Sequence, residues 1–186
     1  MTRWLSHLGA YRPGMAAPPA LAVPPGLDSC RALRAYDADV GAWVVDLKNR
    51  DGRALVTPLA EGLVGLVPPE PGLVVTWAPT SPRRRRQRGY DQAELLARAV
   101  ARRRRLPVRR LLARRPGAPQ SGRSAGERWH HAGFLARGPV PAAVLVIDDV
   151  TTTGATLAAA AAALRQGGAA VVHGLVVARA PRPGGV

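Results

Sequence analysis

A parallel α/β sheet covered by helices on both faces is the fold class this sequence predicts, and three stretches predict it. "AVLVI" (Ala143 to Ile147) and "AAVVHGLVVAR" (Ala169 to Arg179) are short apolar runs rich in β-branched valine. Between them lies a helical stretch, Ala155 to Gln166, stopped by Gly167-Gly168. Strand, helix and strand joined this tightly form a βαβ unit, so the two strands run parallel. The third stretch, "LVVTWAP", is another β-rich run closed by Pro79, with the helical pattern "DQAELLARAVARRRR" after it.

The remaining elements follow in order. Residues 1–34 are rich in proline and alanine and read as a lead-in or degenerate hood, with the domain itself over 35–186. In "DADVGAWVVDLKN", Val40, Trp43, Val44 and Leu47 recur at three- and four-residue spacing, an amphipathic helix that Asp37 can cap. "GRALVTPLAEGLVGLV" predicts a second helix despite Pro58, ended by Pro68 to Gly72. An arginine-rich loop follows the "LVVTWAP" strand, and Asp91 with Glu94 makes an N-terminal capping pair for the next helix. Leu106-Pro107 ends that helix, and Pro116 to Gly126, without periodicity, reads as a mobile loop.

Composition bounds the function. A chain of 186 residues with 47% apolar content can bury a sizeable core. No apolar run is long enough for membrane insertion, the start lacks a signal-peptide pattern, and Cys30 is the only cysteine, so a cytoplasmic protein without disulfides is expected. Net charge is +15, with Lys48 the only lysine. Between Arg83 and Arg137, 17 arginines face only Asp91, Glu94 and Glu127, a block that attracts phosphate in a small ligand or in nucleic acid.

The stretch "VLVIDDVTTTGAT" carries the chemistry. In open parallel sheets ligands bind beyond the carboxyl ends of the strands, where Asp148 and Asp149 arrive, at a rim that water and ligand solvate. The turn Thr151, Thr152, Thr153, Gly154, Ala155 and Thr156 opens the next helix, whose unpaired N–H groups and dipole suit a phosphate. Carboxylates accept but do not donate, so the pair suits vicinal sugar hydroxyls. The spacing describes a ribose 5-phosphate. A strand with an ordinary capped helix explains the threonines and glycine but not the paired aspartates.

This pattern resembles the signature of type I phosphoribosyltransferases. The resemblance implies a Rossmann-like fold, a phosphoribosyl pyrophosphate (PRPP) site with Mg2+, and transfer of the phosphoribosyl group to a nucleobase-like nitrogen acceptor. It gives Asp148 and Asp149 the ribose hydroxyls and the turn the 5-phosphate. The metal is held through PRPP, with Asp148 and Asp149 its candidate protein contacts. "SPRRRRQRGYDQAELLARAVA" with "PQSGRSAGER" resembles the narrower ComF branch, associated with DNA uptake. Its cysteine zinc module has no counterpart beyond Cys30, Asp91 stands where asparagine is usual, and "WHHAGF" is altered.

Thr80, Ser81, Arg83, Arg84 and Arg88 are the candidates for pyrophosphate, and Gln120, Ser121, Gly122 and Arg123 for a flexible loop closing the site. Lys48 either reaches phosphate or is solvated. His130 and His131 lack a third ligand at zinc spacing, Tyr90 and Trp129 either stack a base or anchor loops, and His173 reads as a sheet or rim residue. With Leu95, Leu96, Ala99 and Val100 facing the sheet, Arg98, Arg102 and Arg105 form an outward ridge. Arg114 counts with the same arginine-rich surface. That ridge leaves a second function open: a non-catalytic accessory protein that binds single-stranded DNA and retains the PRPP pocket. A dimer is compatible with either.

Overall fold

A computed structural model describes residues 22–35, 38–47, 52–115 and 133–180. Four strands form one sheet: β1 (Ser29–Ala35), β2 (Val74–Trp77), β5 (Ala143–Thr151) and β6 (Val171–Arg179). Their order is β1-β6-β5-β2, and every pairing is parallel. A two-stranded antiparallel ribbon, β3 (Leu112–Arg114) with β4 (Phe134–Ala136), stands apart from it. The helices are α1 (Ala38–Leu47), α2 (Arg53–Val64), α3 (Pro82–Arg88), α4 (Gln92–Arg104) and α5 (Ala155–Gln166). The protein is an α/β domain with a Rossmann-like parallel sheet.

Alternation along the strands explains the layering. Leu145, Ile147, Leu175 and Val177 face one side and pack with Trp43 and Leu47 of α1, Leu59 and Leu63 of α2, and Leu96 and Val100 of α4. Val144, Val146, Val172 and Val176 face the other, under Leu157 and Leu164 of α5 and the ribbon residues Leu112 and Phe134. Both faces are covered, which is why β5 and β6 read as nearly unbroken apolar runs. Gly62 lets α2 approach β1, since a Cβ there would come within 2.8 Å of Leu33.

Several elements differ from the sequence expectation. Residues 29–34, read as lead-in, belong to β1, an edge strand whose register pairs Cys30 with Gly174 and Ala32 with Val176. The arginine-rich loop is helical. Ser81 caps α3 by accepting from the Arg84 amide at 3.3 Å, Pro82 fits its first turn, and Gly89 ends it in the left-handed region. β5 does not stop at Ile147 but continues through both aspartates to Thr151, which is therefore a strand residue.

Candidate active site

β5 delivers Asp148 and Asp149 to the carboxyl edge between β2 and β6. The expectation of a solvated rim is corrected here, because the two residues are only 9% and 8% exposed. They are buried because α4 packs against this end of β5 and closes over the pair. Its first residue, Gln92, donates from Nε2 to Asp149 Oδ2 at 3.2 Å. The Asp149 amide donates to Asp148 Oδ1, and the Val150 amide to Asp149 Oδ1, each at 2.8 Å. Burial, then the charge of Asp149, and further off that of Asp91, push the Asp148 carboxyl well above its usual range. Such a pair is stabilised by donors or by a cation.

Asp91 is a third buried acid at this edge, 4% exposed. Its Oδ1 caps α4 by accepting from the amides of Ala93 and Glu94 at 3.1 and 3.4 Å. Its Oδ2 accepts from the Thr80 amide at 2.8 Å, tying the exit of β2 to α4. Desolvation outweighs these bonds and raises its carboxyl above the ordinary value. Glu94 turns to Arg98 at 2.9 and 3.0 Å, so the reciprocal half of the expected capping pair is replaced by an ion pair.

Arg114, counted in sequence with the arginine-rich surface, points inward. Its Nε donates to the Pro79 carbonyl at 2.8 Å, and its guanidinium lies over Phe134, 5.2 Å from the ring centre. Burial lowers its affinity for the proton, Asp148 opposes that, and the like charge of Arg84 adds to it. Arg114 thus joins Asp148, Asp91 and Arg84 in one electrostatic neighbourhood. Arg83 and Arg84 themselves are exposed and Arg88 is half-buried.

The threonine turn completes the edge. Thr151 is buried, Thr152 exposed, and Thr153, Ala155 and Thr156 are half-buried. Thr153 Oγ1 accepts from the Ala155 amide at 3.3 Å. Gly154 has φ +80°, and its carbonyl starts α5 by accepting from the Ala158 amide at 2.8 Å. Thr151 to Gly154, with Ala22, Pro24, Cys30 and Arg179, line a small open cleft.

Other candidates fall elsewhere. Tyr90 is buried and donates to the Leu47 carbonyl at 2.7 Å, an anchor between α1 and α4 rather than a stacking platform. His173 sits in β6 with Nδ1 2.8 Å from Ser29 Oγ, a sheet residue as expected. Arg102 and Arg105 are exposed, whereas Arg98 is compensated by Glu94, and Leu95 is half-buried rather than facing the core. Gln120, Ser121, Gly122 and Arg123, with Lys48, Trp129, His130 and His131, lie outside the described residues.

Asp91 and Gln92 reach this candidate site although the sequence singled out Asp91 only as a helix cap and Gln92 not at all; Arg114 was counted only with the arginine-rich surface, and Arg179 was not singled out. The N-terminal position of Asp91 and Gln92 on α4, directly after the "LVVTWAP" strand exit, was the available signal for two of them. Among the described residues no group of three or more His, Cys, Asp or Glu side chains can hold a metal ion. A magnesium ion therefore fits only with most of its ligands supplied by a bound substrate. No helix among the described residues is long and apolar enough to cross a membrane. No family model matches the chain, and no curated protein matches it.

Proposed function

We propose that this protein binds PRPP with Mg2+ at the carboxyl edge of the sheet and transfers its phosphoribosyl group to a nitrogen nucleophile, releasing pyrophosphate. The observation that carries this reading is a buried Asp148–Asp149 pair at the end of β5, followed by a threonine–glycine turn at the start of α5. Beyond the Gln92 and backbone donors they already have, two acids this desolvated are stabilised further by hydroxyl donors or a cation, and vicinal ribose hydroxyls supply the first. The turn at Thr152 to Thr156 takes the 5-phosphate. Arg114, with Thr80, Ser81 and Arg84 beside it, receives the departing pyrophosphate, where a fixed guanidinium favours growing negative charge. The bond from C1 of the ribose to the pyrophosphate oxygen breaks, a C1–N bond forms, and the nucleophile loses its proton to solvent. Asp148 and Asp149 are the candidate protein contacts for magnesium arriving with PRPP, which would supply positive charge to the leaving group. Pyrophosphate release from PRPP, measured across a panel of nucleobases, tests this; no release with any acceptor argues against transfer.

A second reading is favoured by one observation. Arg102, Arg104, Arg105, Arg109 and Arg110 are all exposed, without an ion pair among the described residues. They cluster at the end of α4 and the segment beside Val75, whereas the acids lie at the start of α4. Such a surface fits single-stranded DNA, bound weakly and without sequence preference, and leaves the pocket free for PRPP.

A further inference from the structure

We propose that Ser29, His173 and Glu70 form a second reactive site, in which Ser29 takes the acyl group of a small activated ester. None of the three has a part in the PRPP reading. Ser29 opens β1 and lies directly opposite His173 in the β1–β6 register. His173 pairs in turn with Leu145, three residues before Asp148 on β5, so the group sits toward the amino ends of the strands. Both side chains face the layer of α1 and α2, because Cys30 and Val172, their neighbours in sequence, face the other layer. Glu70 comes from the turn between α2 and β2, where its amide donates to the Pro68 carbonyl at 3.0 Å. Ser29 Oγ and His173 Nδ1 are 2.8 Å apart. On the other side of the ring, Nε2 is sealed from solvent without a hydrogen-bond partner among the described residues, and Glu70 Oε2 stands 3.5 Å from it. A buried nitrogen left in this state calls for a physical reason.

The charge of Glu70 decides where the imidazole keeps its proton. A proton on Nδ1 would turn the Nε2 lone pair toward a carboxylate. A proton on Nε2 faces an acceptor instead, and leaves Nδ1 to accept from the Ser29 hydroxyl. Ser29 is then a nucleophile with a base beside it, and Glu70 is the residue that positions the base. The 3.5 Å gap is long for a hydrogen bond, but catalytic contacts of this kind tighten in the transition state. Ser29 and Glu70 are half-buried and Arg31 is exposed, so a ligand can reach the hydroxyl from solvent. Arg31, two residues along β1 and hence on the same face, is held by Nη1 donating to the Leu66 carbonyl at 3.1 Å. Its other N–H groups suit the ester carbonyl oxygen as that atom gains charge. In the step, Ser29 Oγ attacks the carbonyl carbon and its proton passes to His173 Nδ1. The bond to the leaving alcohol breaks, the alcohol departs with that proton, and the acyl group stays on Oγ.

Acetylation of the full chain by p-nitrophenyl acetate, followed by peptide mapping in the mass spectrometer, tests the proposal. Ser29 is expected to be acetylated faster than Ser81, which is also half-buried but bonded to the Arg84 amide rather than to a histidine. His173→Gln should slow acetylation of Ser29 at least about 100-fold, the contribution of a positioned base. Glu70→Gln keeps the shape but no longer fixes the proton on Nε2, and should slow it less. Acetylation of Ser29 no faster than that of Ser81 overturns the assignment, as does an unchanged rate in folded His173→Gln. If that variant does not fold, an unchanged rate in Glu70→Gln overturns it equally. A lowered Tm in both variants with unaltered labelling makes the three residues a structural clasp and refutes a reactive site.

Discussion

Replacing Asp91 by alanine should loosen the start of α4 and, through it, the acid pair. The side chain accepts from three backbone amides: Ala93 and Glu94 on Oδ1, Thr80 on Oδ2. Loss of an N-cap costs about 0.5–2 kcal/mol, and loss of the charged bond from Thr80 about 1.5–3 kcal/mol. Relief of the buried carboxylate, whose raised pKa records an unfavourable environment, offsets part of this. A net loss of about 2 kcal/mol is expected, which for a domain of this size lowers Tm by about 4–8 °C. Urea unfolding followed by circular dichroism at pH 7 reads it as a lower midpoint at unchanged slope. Asp91→Asn keeps one acceptor oxygen for the cap and presents a donor to Thr80, so it should fall between wild type and alanine. Because Gln92 follows directly and holds Asp149, the alanine variant should also weaken PRPP binding. Stability within about 0.5 kcal/mol of wild type would refute the link between the β2 exit and α4.

Other consequences are as specific. The folded-state pKa of Asp148 lies above its unfolded value, near 3.9, so the native state holds a proton the unfolded chain has lost. The stability this contributes is complete in acid and disappears as pH rises through the folded value. Asp148→Asn should therefore be more stable than wild type at neutral pH without ligand, with an advantage that shrinks toward about pH 4; a gap independent of pH, in thermal melts across that range, contradicts the burial argument. Gly154→Ala combines φ +80° with a close approach to Pro24 and should cost at least about 2 kcal/mol, seen as a lower Tm; an unchanged melt contradicts the turn geometry. For the arginine surface, Arg102→Gln, Arg104→Gln and Arg105→Gln together should reduce the salt slope of single-stranded DNA binding by about 2, at roughly 0.7 per phosphate contact, with PRPP binding intact; no binding by anisotropy at low salt removes that reading.

What was legible in the sequence follows from how each element is stabilised. β5, α5 and β6 were readable because both strands are buried on two faces, leaving unbroken valine-rich runs, and because Gly167-Gly168 ends the helix between them. The Asp91 cap was readable because capping is local. β1 was not: as an edge strand it buries only small residues, Cys30 and Ala32, between exposed or half-exposed arginines. The three-residue strands β3 and β4 are too short to show a period. α3 was obscured because its arginines have no buried face, although Ser81-Pro82 carried the start signal. At the site, residue types and spacing revealed the acid pair and the turn. They did not reveal that α4 buries the pair, nor that Arg114 turns inward while Arg83 and Arg84 face solvent. Those depend on contacts far apart in the chain, such as Arg114 with Pro79 and Gln92 with Asp149.

The most direct test of the central claim is calorimetry of PRPP with magnesium, on wild type and on the double variant Asp148→Asn, Asp149→Asn. Two charge-assisted hydrogen bonds, each worth about 1.5–3 kcal/mol, are removed without changing side-chain shape. Saturable binding to wild type, weakened at least about 100-fold in the double variant, is the result expected. Equal affinity in the two proteins, or no binding to wild type, would contradict a PRPP site built on these aspartates.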